Sequence, residues 1–302
     1  MAEQRTPFQK LAYSILNLDR RIIFTLVFVC VTAPLIWPIG MDFTPTKEVR
    51  DAFDDIEALE EGAVVLISAD YGPSSMPETH PMYITLLHQC FRKGLRPVIL
   101  TLVPSGPGLA NRGLLDVLEM ENPDGSLMYP GLKEGVDYAF LGYKPGGTAV
   151  MLGLGQSFVT TFPNDYDGDP TSKMPLFREV SRLGDCAYIF DVASVGYPEF
   201  WVPYASEREN VPLSVCCTAV SAAQYYPYYQ AGLFRGLVGG MKGSAEYEKL
   251  MNMEEILGKI PPATNGMDAQ SVVHVLIVLA IIVANFFYFV SRRWEIQEGG
   301  RS

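Results

Sequence analysis

The sequence predicts an α/β fold, a doubly wound and mostly parallel sheet of the Rossmann-like or flavodoxin-like kind, placed between two transmembrane helices. Three observations lead to this prediction. Short apolar segments alternate with segments of helical periodicity, which is typical of parallel strands covered by helices on both faces. No linker divides residues 60–250 into two domains. Uncharged runs of 19 residues lie near both ends of the chain.

The two uncharged runs predict transmembrane helices at 22–40 and 272–291. A helix of 19 residues is about 28 Å long, close to the thickness of the hydrocarbon layer. Pro34 predicts a kink, which membrane helices tolerate. Arg292 and Arg293 follow the second run as a basic stop.

The charge distribution predicts the orientation. Residues 41–271 carry a net charge of −14, whereas the two ends together carry +3. Because Lys and Arg concentrate on the cytoplasmic side, we expect both termini (the tail being 292–302) in the cytoplasm and an extracytoplasmic domain at 41–271. Residues 1–21 precede the first run and predict an amphipathic helix on the inner surface of the plasma (inner) membrane. No small-x-small cleavage site follows 22–40, so an uncleaved anchor is favoured over a signal peptide.

Five strands and five helices are predicted between the anchors. The strands are short, β-branched and apolar, and the helices place apolar residues three and four positions apart. The predicted strands are 63–68, 97–103, 137–142, 186–191 and 212–217. The predicted helices are 80–94, 109–120, 147–162, 175–183 and 199–207.

Composition excludes two classes of protein. Of the 302 residues, 48% are hydrophobic and 19% are charged, which excludes a disordered chain. A net charge of −11 argues against binding to nucleic acid. Apart from Cys30, the cysteines fall in the predicted outer domain, where they either form disulfides or serve as small core residues; they are Cys90, Cys186, Cys216 and Cys217.

Four residues form the candidate site. Asp70 and Asp191 follow predicted strands, and Glu78 and His80 belong to the segment after the first strand. Ligands bind at the carboxyl ends of parallel strands, so these side chains are candidates for acid–base chemistry or for a metal. The same residue types also serve in turns and helix caps.

No established cofactor motif is present. The chain lacks the G-x-G-x-x-G, P-loop and G-x-S-x-G spacings, and its three histidines do not have a zinc-site spacing, so we predict no cofactor. Alternating acids at Asp165, Asp167 and Asp169 predict at most a weak calcium loop. That pattern departs from a calcium-binding loop at Pro170 and Leu176.

A segment rich in tyrosine and glycine predicts an interface. If the segment is helical, glycines four residues apart permit close helix contact, and the aromatic residues are typical interface anchors. The alternatives are a flexible loop or glycines that admit a helix onto its own sheet. Asn285 in the second run also favours contact between membrane helices. The predicted interface residues are Tyr225, Tyr226, Tyr228, Tyr229, Gly232, Gly236, Gly239, Gly240, Gly243 and Asn285.

These patterns favour a membrane-anchored extracytoplasmic scaffold, a non-catalytic subunit of a larger membrane assembly. Its expected partners are the lipid bilayer and other membrane subunits or further copies of itself. The alternative is an extracytoplasmic enzyme, or a sensor for a ligand or metal, that uses the four candidate residues. Two spans offer too little surface to line a transport path alone.

Overall fold

The computed structural model describes residues 7–299, which divide into two compact units. One consists of residues 42–264, and the other combines 7–41 with 265–299. Residues 1–6 of the predicted amphipathic helix and 300–302 of the predicted tail lie outside the described part of the chain.

Residues 42–264 form an α/β unit around a six-stranded sheet in which every strand pairing is parallel. The strand order is β3-β2-β1-β4-β5-β6, the Rossmann arrangement. This confirms the predicted α/β class and parallel sheet. The strands are β1 (Val64–Asp70), β2 (Arg96–Thr101), β3 (Ala139–Tyr143), β4 (Tyr188–Ala193), β5 (Leu213–Cys217) and β6 (Gly236–Gly239).

Helices connect the strands and precede and follow the sheet. Within the described residues they are α1 (Pro7–Leu16), α2 (Arg20–Ile36), α3 (Lys47–Glu57), α4 (Met76–Arg92), α5 (Pro107–Leu118), α6 (Thr148–Leu154), α7 (Phe158–Thr161), α8 (Leu176–Glu179), α9 (Tyr197–Trp201), α10 (Glu207–Glu209), α11 (Ala219–Gln230), α12 (Gly240–Leu250), α13 (Met253–Leu257) and α14 (Pro262–Gly299). A π-helical turn, Val202–Ser206, joins α9 to α10.

The sheet separates two hydrophobic cores. On one face, strand residues such as Leu66 and Ile189 pack with Phe158 and Trp201 from the connecting segments. On the other, Ile67 and its neighbours pack with residues of α3, α4, α5 and α12. Because both faces are covered, nearly every residue of the central strands is buried, which explains their continuous apolar sequence.

Two buried glutamates of α12 bind the segments that begin α3 and α14. Glu246 accepts hydrogen bonds from the backbone N–H (3.0 Å) and hydroxyl (2.7 Å) of Thr46, the N-cap residue of α3. Glu248 accepts from the N–H groups of Ala263 (2.9 Å) and Thr264 (2.8 Å) in the first turn of α14. Burial raises the pKa of Glu248, and these hydrogen bonds oppose the rise. One helix therefore fixes both α3 and the start of α14.

Replacing Glu248 with alanine should loosen the first turn of α14. Loss of the acceptor leaves two N–H groups without a partner, which we expect to cost about 1–2 kcal/mol. Hydrogen exchange of the full-length protein should become faster at Ala263 and Thr264. The matched control is Glu255→Ala, an exposed acid that should leave exchange unchanged. Equal exchange in both variants would contradict the capping role.

The second unit contains two apolar helices, α2 and α14. Within the described residues, one segment is long and apolar enough to cross a membrane, Pro262–Arg292 of α14. The prediction of two spans is supported for this helix alone. The first predicted span coincides with α2, whose 17 residues measure about 26 Å, at the short limit for a span, so a second span gains no support from its length. It ends at Ile36 because Trp37 leaves the helical conformation and Pro38 follows.

Candidate functional site

The carboxyl ends of β1 and β4 form the switch point of the sheet, where the chain connections diverge to opposite sides. Asp70 is the last residue of β1. Asp191 lies on β4 opposite Ser68 in the parallel ladder. The sheet therefore brings together two of the four predicted site residues, and both are fully buried.

Asp70 is held by hydrogen bonds from its own strand and from the next. The hydroxyl of Ser68 donates to one carboxylate oxygen at 2.6 Å. The backbone N–H of Leu102 donates to the other oxygen at 2.5 Å, and the Thr101 hydroxyl approaches that oxygen at 3.4 Å. Asp70 thereby fixes the start of the loop between β2 and α5.

Asp191 differs from Asp70 because neither of its carboxyl oxygens has a hydrogen-bond partner among the described residues. The indole N–H of Trp201 is also buried without a partner of hydrogen-bonding geometry, although it lies near enough to Asp70 to lower the pKa of that carboxyl. A donor and an acceptor are thus left unpaired beside Asp70. Unpaired buried polar groups are uncommon and often mark bound water, an ion or a functional group.

The two aspartates share one electrostatic environment. Burial raises the pKa of Asp70 from 3.8 to about 6, against the lowering effect of its hydrogen bonds. Burial and the neighbouring Asp70 carboxylate raise the pKa of Asp191 well above its ordinary value. At neutral pH we therefore assign the negative charge to Asp70 and the proton to Asp191.

Glu78 lies in the first turn of α4 and reaches a different element. Its carboxylate accepts a hydrogen bond from the N–H of Ala219 at 2.8 Å and so caps α11. Glu78 and Asp191 both contribute to raising the pKa of Cys217, to about 12, with burial as the largest cause. Glu78 therefore lies near the carboxyl ends of the strands, where it caps a helix. This is the alternative role that the sequence allowed for a residue of its type.

His80 packs between α4 and α5. Its Nδ1 hydrogen-bonds the hydroxyl of Tyr71 at 2.7 Å, and its ring lies beside Tyr83 and Gly113. Burial lowers the pKa of His80, so the imidazole is neutral at neutral pH. The hydrogen bond joins it to Tyr71, the residue that follows Asp70, and to neither aspartate.

The predicted calcium loop is closed by its own hydrogen bonds. The carboxylate of Asp165 accepts from the N–H of Asp169 at 2.7 Å, and the N–H of Asp165 donates to the carbonyl of Asp169 at 2.9 Å. Throughout residues 7–299 no group of three or more His, Cys, Asp or Glu side chains is placed to hold a metal ion. Asp165, Asp167 and Asp169 therefore gain no support as calcium ligands.

The glycine–tyrosine segment is not the glycine-striped helix that the spacing suggested. The segment spans two helices, a turn and a strand. Helix α11 contains the four tyrosines (Tyr225, Tyr226, Tyr228 and Tyr229), and the turn after it contains Gly232. Strand β6 begins with Gly236 and ends with Gly239, and α12 contains Gly240 and Gly243. Tyr225, Gly236, Gly240 and Gly243 are buried in the unit itself and present no outer surface. The alternative interpretation fits better, because Gly236 admits α3 onto the sheet.

Asn285 lies on an exposed side of α14, and its amide donates to the carbonyl of Ile281 at 2.9 Å.

The five cysteines all fall within the described residues and are all free thiols. Cys90, Cys186, Cys216 and Cys217 are buried, so they serve as core residues rather than in disulfides.

Trp201 and the N–H of Leu102 are site residues that sequence reasoning missed. Trp201 ends α9 immediately before the π-helical turn, a local irregularity that is often found at functional sites. Pro203 within that turn is the only sequence signal of the irregularity. Comparison with protein-family models, curated proteins and solved structures finds no match to this chain.

Proposed function

We propose that the chain is a membrane-anchored subunit of a larger membrane assembly, with α2 and α14 crossing the bilayer and the α/β unit outside the cytoplasm. The observation that carries this proposal is the apolar surface of α14. Side chains such as Val275, Ile282 and Phe289 are at least half exposed along a helix long enough to span a membrane. A continuous apolar surface of this length is stable in lipid rather than in water.

Contacts of α14 with the segments that precede and follow α2 support a second crossing. Near one end, the carboxylate of Asp268 accepts hydrogen bonds from the backbone N–H groups of Ile39, Gly40 and Met41 at 2.7–3.1 Å. Further along α14, the ring of Phe287 contacts that of Phe8 at 5.7 Å between centroids. Asp268 and Phe287 are 19 positions apart, which corresponds to about 28 Å along the helix and matches the hydrocarbon thickness.

The charge distribution supports the orientation. A net charge of −14 on residues 41–271 and of +3 on the two ends favours cytoplasmic termini.

A non-catalytic role is supported by Asp70, whose two carboxylate oxygens are already hydrogen-bonded within the fold. The same side chain is fully buried.

Proteolysis of sealed spheroplasts tests the anchor and its orientation together. With an epitope tag at each terminus, external protease should remove the α/β unit and leave both tags protected until the membrane is opened. The tagged fragments should remain in the membrane after alkaline extraction. Digestion of the tags without opening would contradict the orientation. Release of the intact chain by alkaline extraction would contradict the anchor.

A second candidate function is small-molecule binding at the switch point, and it is favoured by the unpaired Asp191 carboxyl and Trp201 indole. A polar ligand with an acceptor for the indole, and with an acceptor and a donor for the protonated carboxyl, would satisfy both groups. Native mass spectrometry of the purified full-length protein should then show an added mass that is absent from Asp191→Leu. A wild-type spectrum at the mass of the chain alone would exclude this function.

A further inference from the structure

More than one side of α14 is exposed, and the polar residues of 271–290 all lie on the side opposite Phe287. The ring of Phe287 contacts that of Phe8, whereas the side of α14 opposite Phe287 carries six residues at alternating spacings of three and four. Val278, Ile281 and Tyr288 in this set are at least half exposed. We name the set the α14 stripe; its members are Ser271, His274, Val278, Ile281, Asn285 and Tyr288.

The spacing of the α14 stripe is that of a helix–helix seam. Alternation of three and four residues gives an average repeat of 3.5, which keeps one face of a helix against a partner in a left-handed pair. Four members of the stripe have polar groups. Polar side chains within a span usually face another helix rather than lipid, because lipid chains offer them no hydrogen bonds.

Asn285 indicates what kind of partner fits. Its amide nitrogen donates one hydrogen to the carbonyl of Ile281. One N–H and the amide oxygen remain, which are one donor and one acceptor. Two copies of such an amide at the same depth of the bilayer satisfy each other across a two-fold axis. A parallel pair of identical helices places both copies of Asn285 at that depth.

We propose that α14 pairs with α14 of a second copy of this chain along the α14 stripe, with the two Asn285 amides hydrogen-bonded across the two-fold axis. This inference rests on the proposed function, because it requires α14 to cross the membrane. The pair gives the anchored subunit a defined partner, and it leaves the side of α14 that carries Phe287 free for α1 and α2.

Disulfide crosslinking of the full-length protein in its membrane tests the pairing. Ile281→Cys, on the stripe, should give a crosslinked dimer under mild oxidation. The matched control is Leu279→Cys, which is similarly exposed but lies on the other side of the helix and should give none. The unsubstituted chain, with Cys30, provides the background. Equal crosslinking at both positions, no crosslinking, or a product with a different protein would overturn the proposal.

A second measurement examines Asn285 itself. Fluorescence transfer between labelled full-length copies in liposomes measures the protein-to-lipid ratio at which half of the dimers dissociate. For Asn285→Leu this ratio should be about 10-fold higher than for the wild type. The control Phe286→Leu, at an exposed position beside the stripe, should match the wild type. Unchanged association in Asn285→Leu would overturn the amide pairing. Retention in the membrane without dimers contradicts this inference alone, whereas loss from the membrane contradicts the anchor as well.

Discussion

Substituting alanine for Gly236 should destabilise the α/β unit by about 3 kcal/mol or more. A Cβ atom at this position would lie 2.3 Å from the Cβ of Ala52 and 2.5 Å from its Cα and backbone nitrogen. These atoms belong to α3, which is fully buried at Ala52 and packs directly on β6. Because backbone atoms cannot move aside as a flexible side chain can, α3 would have to shift away from the sheet.

The measurement is the thermal unfolding midpoint of the full-length protein in detergent, together with hydrogen exchange of α3. Gly108→Ala is the matched control, since a Cβ atom there meets no atom within 4 Å and Gly108 lies in α5. The free energy of unfolding of that variant should equal that of the wild type or exceed it by up to about 1 kcal/mol. A midpoint for Gly236→Ala equal to that of the wild type would show that α3 does not pack as closely as described.

Gly236 also shows where sequence reasoning about the fold fails. The five strands β1 to β5 were predicted within a few residues because their burial on both faces requires apolar residues at almost every position. The sixth strand has four residues, two of them glycine, and no β-branched run. Its glycines instead matched a helical spacing, and the close approach of α3 that requires Gly236 depends on tertiary packing.

The connecting helices were predicted less well than the strands. The predicted helix 147–162 is divided into α6 and α7, because Ser157 caps the second by accepting from the N–H of Thr160. Only four residues of the predicted helix 175–183 form α8. Short helices of this kind contain too few turns for apolar periodicity to define their ends.

The candidate site was predicted in part for a similar reason. Asp70 and Asp191 could be placed together because residues at the ends of neighbouring parallel strands meet at one edge of the sheet. The sequence did not indicate that Asp70 accepts a hydrogen bond from the N–H of Leu102, whereas Asp191 accepts none from the described residues. Those differences depend on the loop after β2 and on the position of Trp201, which no local pattern specifies.

The buried aspartate pair predicts an unusual dependence of stability on pH. The folded chain binds the Asp70 proton with a pKa of about 6, compared with 3.8 for an unperturbed aspartate, and Asp191 holds its proton more tightly still. Since the folded state binds more protons than the unfolded state, the free energy of unfolding falls as pH rises from about 4 through 6 and beyond. By pH 7.5 we expect the titration of Asp70 alone to have lowered the free energy of unfolding by an amount on the order of 3 kcal/mol.

Asp70→Asn isolates this effect because asparagine has the same shape as aspartate and no carboxyl proton to lose. Its unfolding midpoint should fall by about 10 °C less than that of the wild type between pH 4.5 and pH 7.5. Other groups change the wild-type profile; burial lowers the pKa of His88 to about 4, for example, which costs stability as pH falls from 6.5. The wild type and the variant share those contributions, so the difference between their profiles reports the aspartate pair. Parallel profiles would mean that the folded protein does not bind the Asp70 proton more tightly than the unfolded chain, and the assignment of charge at the switch point would be wrong.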